Sequence, residues 1–241
     1  MGEQIHIGGL QSSTDLAERA EIAEGTRGVD LCCCTGAGMR FLLRFRKVAH
    51  MTGVDATPVV LRLGRQRTAE EGFSGRAEFV EADVRATGLP QGSFDFVWGE
   101  DAWCYVEEKP ALIVEAARLV RPGGTIAFTD WMLGSADMTV AEAKRYLAFM
   151  KFPSVLTLRE YSEPLRANRC DIAAAHDTGR FSKWMPLYID MIEKQLTYDA
   201  LKIIGFDSAL AEALLGDMRF LKSLAEEGKI IQGLIVARKT A

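Results

Sequence analysis

The sequence holds no apolar run approaching the ~20 residues needed to cross a bilayer, and no basic run longer than Arg44-Phe45-Arg46-Lys47. Across 241 residues, 33 Asp+Glu outnumber 29 Lys+Arg, a net charge of −4. That balance lacks the electrostatic footprint of a nucleic-acid binder, so neither nucleic acid nor membrane is expected as a partner. Met1-Gly2-Glu3-Gln4 has neither the basic start nor the apolar core of a signal peptide. No repeat, low-complexity stretch or Pro/Gly/Ser-rich linker divides the chain. The five cysteines are an odd number, and Cys32, Cys33 and Cys34 are adjacent. Neighbouring cysteines rarely bridge, because their Cβ atoms diverge, and an odd count argues against a secreted disulfide framework. An extended triplet puts only two thiols on one face, with no histidine nearby in sequence, so no metal site is expected. These absences describe a protein of a reducing cytoplasm.

What is present is alternation. Residues 29–33 form an apolar run ending at Gly36 and Gly38, and 39–48 read as a helix with a basic face. A second strand at 50–54 ends at Asp55, and Pro58 then suits a helix start. Third and fourth strands are read at 77–81 and 94–98. Apolar positions 112, 113, 116, 119 and 120 follow helical spacing, and Arg121-Pro122-Gly123-Gly124 stops that helix before a fifth strand at 125–129. Strands separated by helices of this length pair in parallel through right-handed crossovers. The expected fold is α/β, a doubly wound, mostly parallel sheet. Beyond Asp130 the pattern becomes helical, at 139–150, 185–204 and 207–228. A polar, arginine-bearing stretch at 157–180 joins these helices, and a last apolar strand follows at 230–237.

In such a sheet, ligands bind beyond the carboxyl ends of the strands. Those ends carry Asp30, Asp55, Asp83, Glu100 with Asp101, and Asp130. Carboxylates there suit a cationic or hydroxyl-rich ligand and repel phosphate. One after the second strand is placed for ribose hydroxyls, and one after the third could accept from a base's exocyclic amine. A nicotinamide dinucleotide fits less well. Its fingerprint needs a third glycine, where Phe41 stands here, and the loop carries no basic group.

At this point residues 28–131 resemble the class I S-adenosylmethionine-dependent methyltransferases. The resemblance rests on Asp30…Gly36, Gly53-Val54-Asp55, Glu81-Ala82-Asp83-Val84, Phe94-Asp95-Phe96-Val97-Trp98 and Leu119-Val120-Arg121-Pro122-Gly123-Gly124, in that order. It implies a Rossmann-like fold, a single domain and S-adenosylmethionine as cofactor. The core would be 14–131, a helical substrate-covering insertion 132–206, and the C-terminal helix and strand 207–241. It further implies that the loop of Asp30, Cys32, Cys34, Thr35 and Gly36 cradles the methionine part, that Asp55 and Ala56 meet the ribose, and that Asp83 and Val84 meet the adenine. Glu100 completes the expected cofactor set. In that family the loop usually reads Asp-x-Gly-x-Gly-x-Gly. Here cysteines replace two glycines, and each must keep φ < 0 or accept strain.

Three shorter segments are similar to small-amine N-methyltransferases of the sarcosine/dimethylglycine and phosphoethanolamine types. They are Glu3-Gln4-Ile5-His6-Ile7-Gly8, Glu100-Asp101-Ala102-Trp103, and Gly228-Lys229-Ile230-Ile231-Gln232-Gly233…Arg238-Lys239. This likeness implies methyl transfer to nitrogen of a small amine or amino acid by in-line displacement, with Asp101 or His6 orienting the acceptor. Trp103, Tyr105, Trp131, Trp184 and Tyr188 are candidate acceptor contacts, since aromatic faces attract cations. Arg166 and Arg169, with Arg180, are candidate clamps for a carboxylate or phosphate. The short N-terminal segment leaves the cofactor lid to the later helices or to a partner subunit, and oligomerisation is compatible with this. Two alternatives stay open: O- or C-methylation of a natural-product or lipid-like metabolite, and a non-catalytic S-adenosylmethionine-binding module.

Overall fold

A computed structural model describes residues 6–195, 205 and 207–240. The part of the expected helix 185–204 at 196–204, and the N-terminal motif residues up to Ile5, lie outside the described residues. Seven strands form one sheet: β1 Arg27–Leu31, β2 His50–Asp55, β3 Ala77–Glu81, β4 Phe94–Glu100, β5 Val120–Leu133, β6 Cys170–Asp177 and β7 Ile230–Lys239. Their spatial order is β3-β2-β1-β4-β5-β7-β6. The first five pair in parallel, whereas β7 runs antiparallel between β5 and β6. The order reverses at β1, with β2 on one side and β4 on the other, which creates the crevice where open α/β sheets bind ligands.

The inner strands β1, β2, β4 and β7 and the second half of β5 are buried on both faces, so each side chain direction there needs its own core. Val29, Leu31 and Val97 pack with Leu112, Ile113 and Leu165 on one face. Phe96 and Trp98 pack with Leu16, Met39 and Leu61 on the other. The helices that cover these faces are α1 Gly9–Arg19, α2 Ala37–Phe41, α3 Pro58–Glu70 and α4 Lys109–Leu119. α2 continues through a π-helical turn, Leu42–Arg46. After β5 come α5 Val140–Met150 and α6 Leu158–Ala167, then α7 Arg180–Asp190 and α8 Ser208–Glu226 on either side of residues 191–207. Capping boxes open α5 at Thr139 and α6 at Thr157, each with a glutamate three residues on.

The sequence expectation fails at two places. The stretch at 157–180 is not merely a polar connection, for it forms α6 and an edge strand, β6. Ile172-Ala173-Ala174-Ala175 carries little of the β-branched or aromatic signal that marks strands, and β6 is specified instead by its partner β7. The insertion after residue 131 is therefore not all helical. Likewise β5 runs on to Leu133, because β7 pairs with it over its whole second half.

Candidate functional site

A cavity of about 850 Å³ opens beyond the carboxyl ends of β1 to β5, within the size range of small-molecule sites. Its floor is the loop after β1. Cys32 and Cys34 both take left-handed conformations, with φ of 65° and 50°. This answers the question the two missing glycines raised: the backbone keeps the glycine-like turn and the cysteines carry the strain. The turn is held because the amides of Cys32 and Cys33 donate to Val54 O at 2.9 and 3.1 Å. The Cys34 amide donates to Asp55 Oδ2 at 3.0 Å. Cys32, Cys33 and Cys34 all line the cavity. Burial, together with the charges of Asp55 and Asp30, pushes the Cys32 and Cys33 thiols well up. They stay protonated at neutral pH, unsuited to nucleophilic or metal-binding work. Among the described residues no cluster suited to a metal ion is found.

Around the loop stand four carboxylates, Asp30, Glu100, Asp55 and Asp83. Asp30 is buried, and burial, then Glu100 and Asp55, raise it well above the ordinary carboxylate range. Glu100 Oε2 accepts from Trp98 Nε1 at 3.0 Å. Its other oxygen is buried and accepts no hydrogen bond, though His6 Nε2 lies 3.2 Å away. Gly38 lets the helix start come close: a Cβ there would stand 2.8 Å from Glu100 Oε2 and 3.3 Å from Asp30 Oδ2. Further along, Asp55 Oδ1 accepts from the Thr57 amide at 2.9 Å, and Ala56 lies beside it on the wall. Asp83 and Val84 also line the cavity. The Asp83 carboxylate is already clamped by Arg85 Nε and Nη2, at 3.0 and 2.6 Å, which holds it below its usual range.

The other end is built from distant pieces. Asp101, with φ 49°, is buried at the end of β4. Burial raises its pKa, while His6, the Ile7 amide and Gln232 pull it down. The Ile7 amide donates to Asp101 Oδ2 at 3.0 Å. His6 Nε2 lies 3.0 Å from Gly9 O and 3.2 Å from Ser13 Oγ. A carbonyl only accepts, so Nε2 carries a proton there. Trp131 lies 4.4 Å from the Phe181 ring and 6.0 Å from Phe152. Tyr105, more than half exposed, meets Phe152 edge-on at 4.9 Å. Both aromatics line the cavity, as do His6, Ile7, Asp101 and Met150. His6 and Ile7, immediately before α1, thus form part of the roof.

Of the expected site residues, Asp30, Cys32, Cys34, Thr35, Asp55, Ala56, Asp83, Val84, Glu100, Asp101, His6, Tyr105 and Trp131 come together around this cavity. Gly36 instead caps α2 from below, where a Cβ would meet the Phe79 ring at 2.7 Å. Trp103 lies outside the lining. It is fully buried, donates to Leu31 O at 3.2 Å and stacks on Phe128 at 4.0 Å, so its indole holds β1 to β5 instead of facing a ligand. Arg166 and Arg169 are at the wrong edge of the sheet. They precede Cys170, which pairs with Lys239, whereas the neighbouring Arg238 pairs with Thr125 at the start of β5's parallel run. Trp184 and Tyr188 on α7 pack against the cluster containing Trp131, one layer behind the lining. Arg180 is nearly buried and paired with Asp15.

Sequence reasoning missed Arg67, Arg85, Ile7, Glu107 and Met150 on the wall, and Gln232 behind it. Gln232 had a signal, being an amide amid the apolar residues of the last strand.

Comparison with known proteins places these features. Residues 29–128 match the family described as "Methyltransferase domain". Phosphoethanolamine N-methyltransferase 1 of Arabidopsis thaliana is 24% identical over 192 residues, 79% of this chain but 38% of the relative. The chain thus spans well under half of that protein's length. The 27-O-demethylrifamycin SV methyltransferase of Amycolatopsis mediterranei is 27% identical over 93% of this chain and 81% of its own. Among solved structures, Phosphoethanolamine N-methyltransferase 2 of Haemonchus contortus, bound to phosphomonomethylethanolamine and S-adenosylhomocysteine, superposes with a TM-score of 0.86. It is 18% identical, with 98% of this chain and 54% of that one covered.

Proposed function

We propose that this chain, whose residues 29–128 match a methyltransferase domain, is an S-adenosylmethionine-dependent methyltransferase that methylates nitrogen of a small amine or amino acid. The observation that carries the reading is the buried Asp101 carboxylate, held by the Ile7 amide and facing a cavity end walled by Tyr105 and Trp131.

The residues present fit the cofactor. A buried Glu100 oxygen that faces His6 at 3.2 Å but accepts no hydrogen bond and the mutually repelling Asp30, Glu100 and Asp55 suit a ligand with a cationic amine and ribose hydroxyls. Asp30 and Glu100 would hold the amine, and Asp55 the ribose, with the Cys32–Thr35 backbone beneath and Val84 against the base. S-adenosylmethionine supplies a methyl group already activated by its positive sulfur. What remains for the chain is placement and proton handling.

An aliphatic amine resembles Lys, with a free pKa of ~10.4, and must be neutral to attack. Burial against the apolar Met150 side chain disfavours its charged form by desolvation. Asp101, acceptor-only when ionised, takes a hydrogen bond from the amine N–H and leaves the lone pair pointing away from the carboxylate. The aromatic faces of Tyr105 and Trp131 attract the product ammonium by ~0.5–2 kcal/mol each.

Labelled methyl transfer from S-adenosylmethionine to a panel of amines and amino acids, set beside phenols and hydroxylated macrolides, tests this. Transfer to nitrogen acceptors supports the reading, and transfer to oxygen acceptors alone sinks it. O-methylation is the second reading, favoured by the apolar cluster of Trp131, Phe152, Phe181 and Met185 behind the acceptor end.

A further inference from the structure

Gln232 is the third residue of β7, fully buried, opposite Trp131 in the register. Its Nε2 lies 2.8 and 3.0 Å from the two Asp101 oxygens and 3.1 Å from Ile7 O. Its Oε1 accepts from Thr178 Oγ1 at 2.9 Å and from Arg180 Nη1 at 3.3 Å. Two donors on Oε1 leave the amide one orientation, with its N–H groups aimed at the carboxylate. Arg180 is in turn paired with Asp15 of α1. One buried amide therefore joins four stretches of chain that are far apart in sequence: the roof at 6–7, the end of β4, the turn before α7, and β7 itself.

We propose that Gln232 is the positioning residue of the acceptor site, fixing the Asp101 carboxylate and tying the His6–Ile7 roof segment to it. The inference rests on the functional reading above for its kinetic consequence, but its structural part stands apart from turnover. A buried carboxylate deprived of donors either takes a proton or turns away. Around Asp101 the other titratable groups are His6, Asp130, Cys104, Tyr105, Tyr146 and Tyr188. His6 opposes a rise in the Asp101 pKa, whereas the Asp101 charge in turn raises that of Asp130. The Ile7 amide and Thr129 still face Asp101 once the Gln232 amide is removed, but the contact that Gln232 makes with both carboxylate oxygens is lost.

The test is Gln232→Leu, read four ways. Hydrogen exchange at the Ile7 amide is expected to quicken by about tenfold or more, because Ile7 O loses its donor and the Asp101 carboxylate that the Ile7 amide bonds is no longer held by Gln232. A carbon-detected titration of the Asp101 carboxyl should move upward in pH, since donors that favour the ionised form are gone. With the best-accepted amine, kcat/KM should fall roughly 10- to 100-fold, and its acid limb should shift upward with the carboxyl. Affinity for S-adenosylhomocysteine should hold within about threefold, because Asp30, Glu100 and Asp55 are untouched. Thr178→Val keeps the amide but removes one lock on Oε1, so smaller changes in the same direction are expected. If Ile7 exchange and the Asp101 titration are both unmoved, or if product affinity and melting temperature fall in step with kcat/KM, Gln232 is only a core residue and the proposal is overturned. If wild-type protein methylates no amine, the functional reading fails, while the exchange and titration measurements still judge Gln232.

Discussion

The two ends of the cavity are made in different ways. The proposed cofactor end is local: Asp30, Cys32, Cys34 and Thr35 lie within six residues of one another, and Asp55 and Asp83 stand at or just past the end of the next strands across the sheet. The acceptor end is assembled from contacts such as Ile7 with Asp101 and Gln232 with Ile7, which are 94 and 225 residues apart. Local construction leaves a reading in consecutive residues. Distant construction leaves isolated polar residues in apolar surroundings. The lesson is that one cavity holds a generic half built by the strand order and an individual half built by whatever the chain brings back over it.

The largest effect expected from breaking this division is at Asp101. Asp101→Asn keeps the size and loses the charge, and kcat/KM for amine methylation should fall by about 10²- to 10⁴-fold. Affinity for S-adenosylhomocysteine, measured by calorimetry, should change little. Asp55→Ala should do the reverse. It removes a charged acceptor at the proposed ribose position and leaves the Cys34 and Thr57 amides unpaired. Product affinity should fall roughly 10- to 100-fold, with the acceptor KM nearly unchanged at saturating cofactor. Equal effects of the two variants on both quantities would show that the ends are not separable.

A third prediction concerns the seam between the halves. Asp130, fully buried, accepts from Tyr161 Oη at 2.5 Å and from the Cys104 amide at 3.1 Å. Burial, aided by Asp101, raises it to about 7. Between its unfolded value near 3.8 and about 7, the folded protein holds a proton that the unfolded chain has released. Stability therefore falls as pH rises through that window and levels off above it. Asp130→Asn cannot titrate. Its urea midpoint should lose less between pH 5 and pH 8 than that of wild type, a difference worth ~2 kcal/mol. Parallel curves would mean that Asp130 ionises normally.

How much was legible follows the same division. The sheet, its five parallel strands and the carboxylates at their ends were readable, because strand period, helix length and glycine stops are local signals. Strand β6 was not, since its alanines take strand geometry only from β7. Among aromatics, Trp103 and Trp131 looked alike, each just past a strand end. Which one faces the cavity depends on whether Leu31 O or Phe181 lies opposite, and that is decided by tertiary packing. Arg166 and Arg169 were misplaced for a related reason. A missed edge strand carries its flanking residues to the far end of the sheet.

The smallest effect is the one that tests the local half on its own terms. Cys32 and Cys34 hold left-handed φ where a Cβ is costly, by ~1–2 kcal/mol per residue. Glycine removes that cost but returns about 0.5–1 kcal/mol through the freedom it gives the unfolded chain. Cys32→Gly and Cys34→Gly should each stabilise the protein by ~0.5–1 kcal/mol, a rise in Tm of about 1–4 °C for a chain of this length. Asp55 supplies an internal control, because its bond to the Cys34 amide needs only the backbone and survives both changes. Product affinity should then stay level or rise. A loss of affinity with a gain in Tm would mean that the thiols themselves contact the cofactor, and the local half would be as individual to this chain as the distant one.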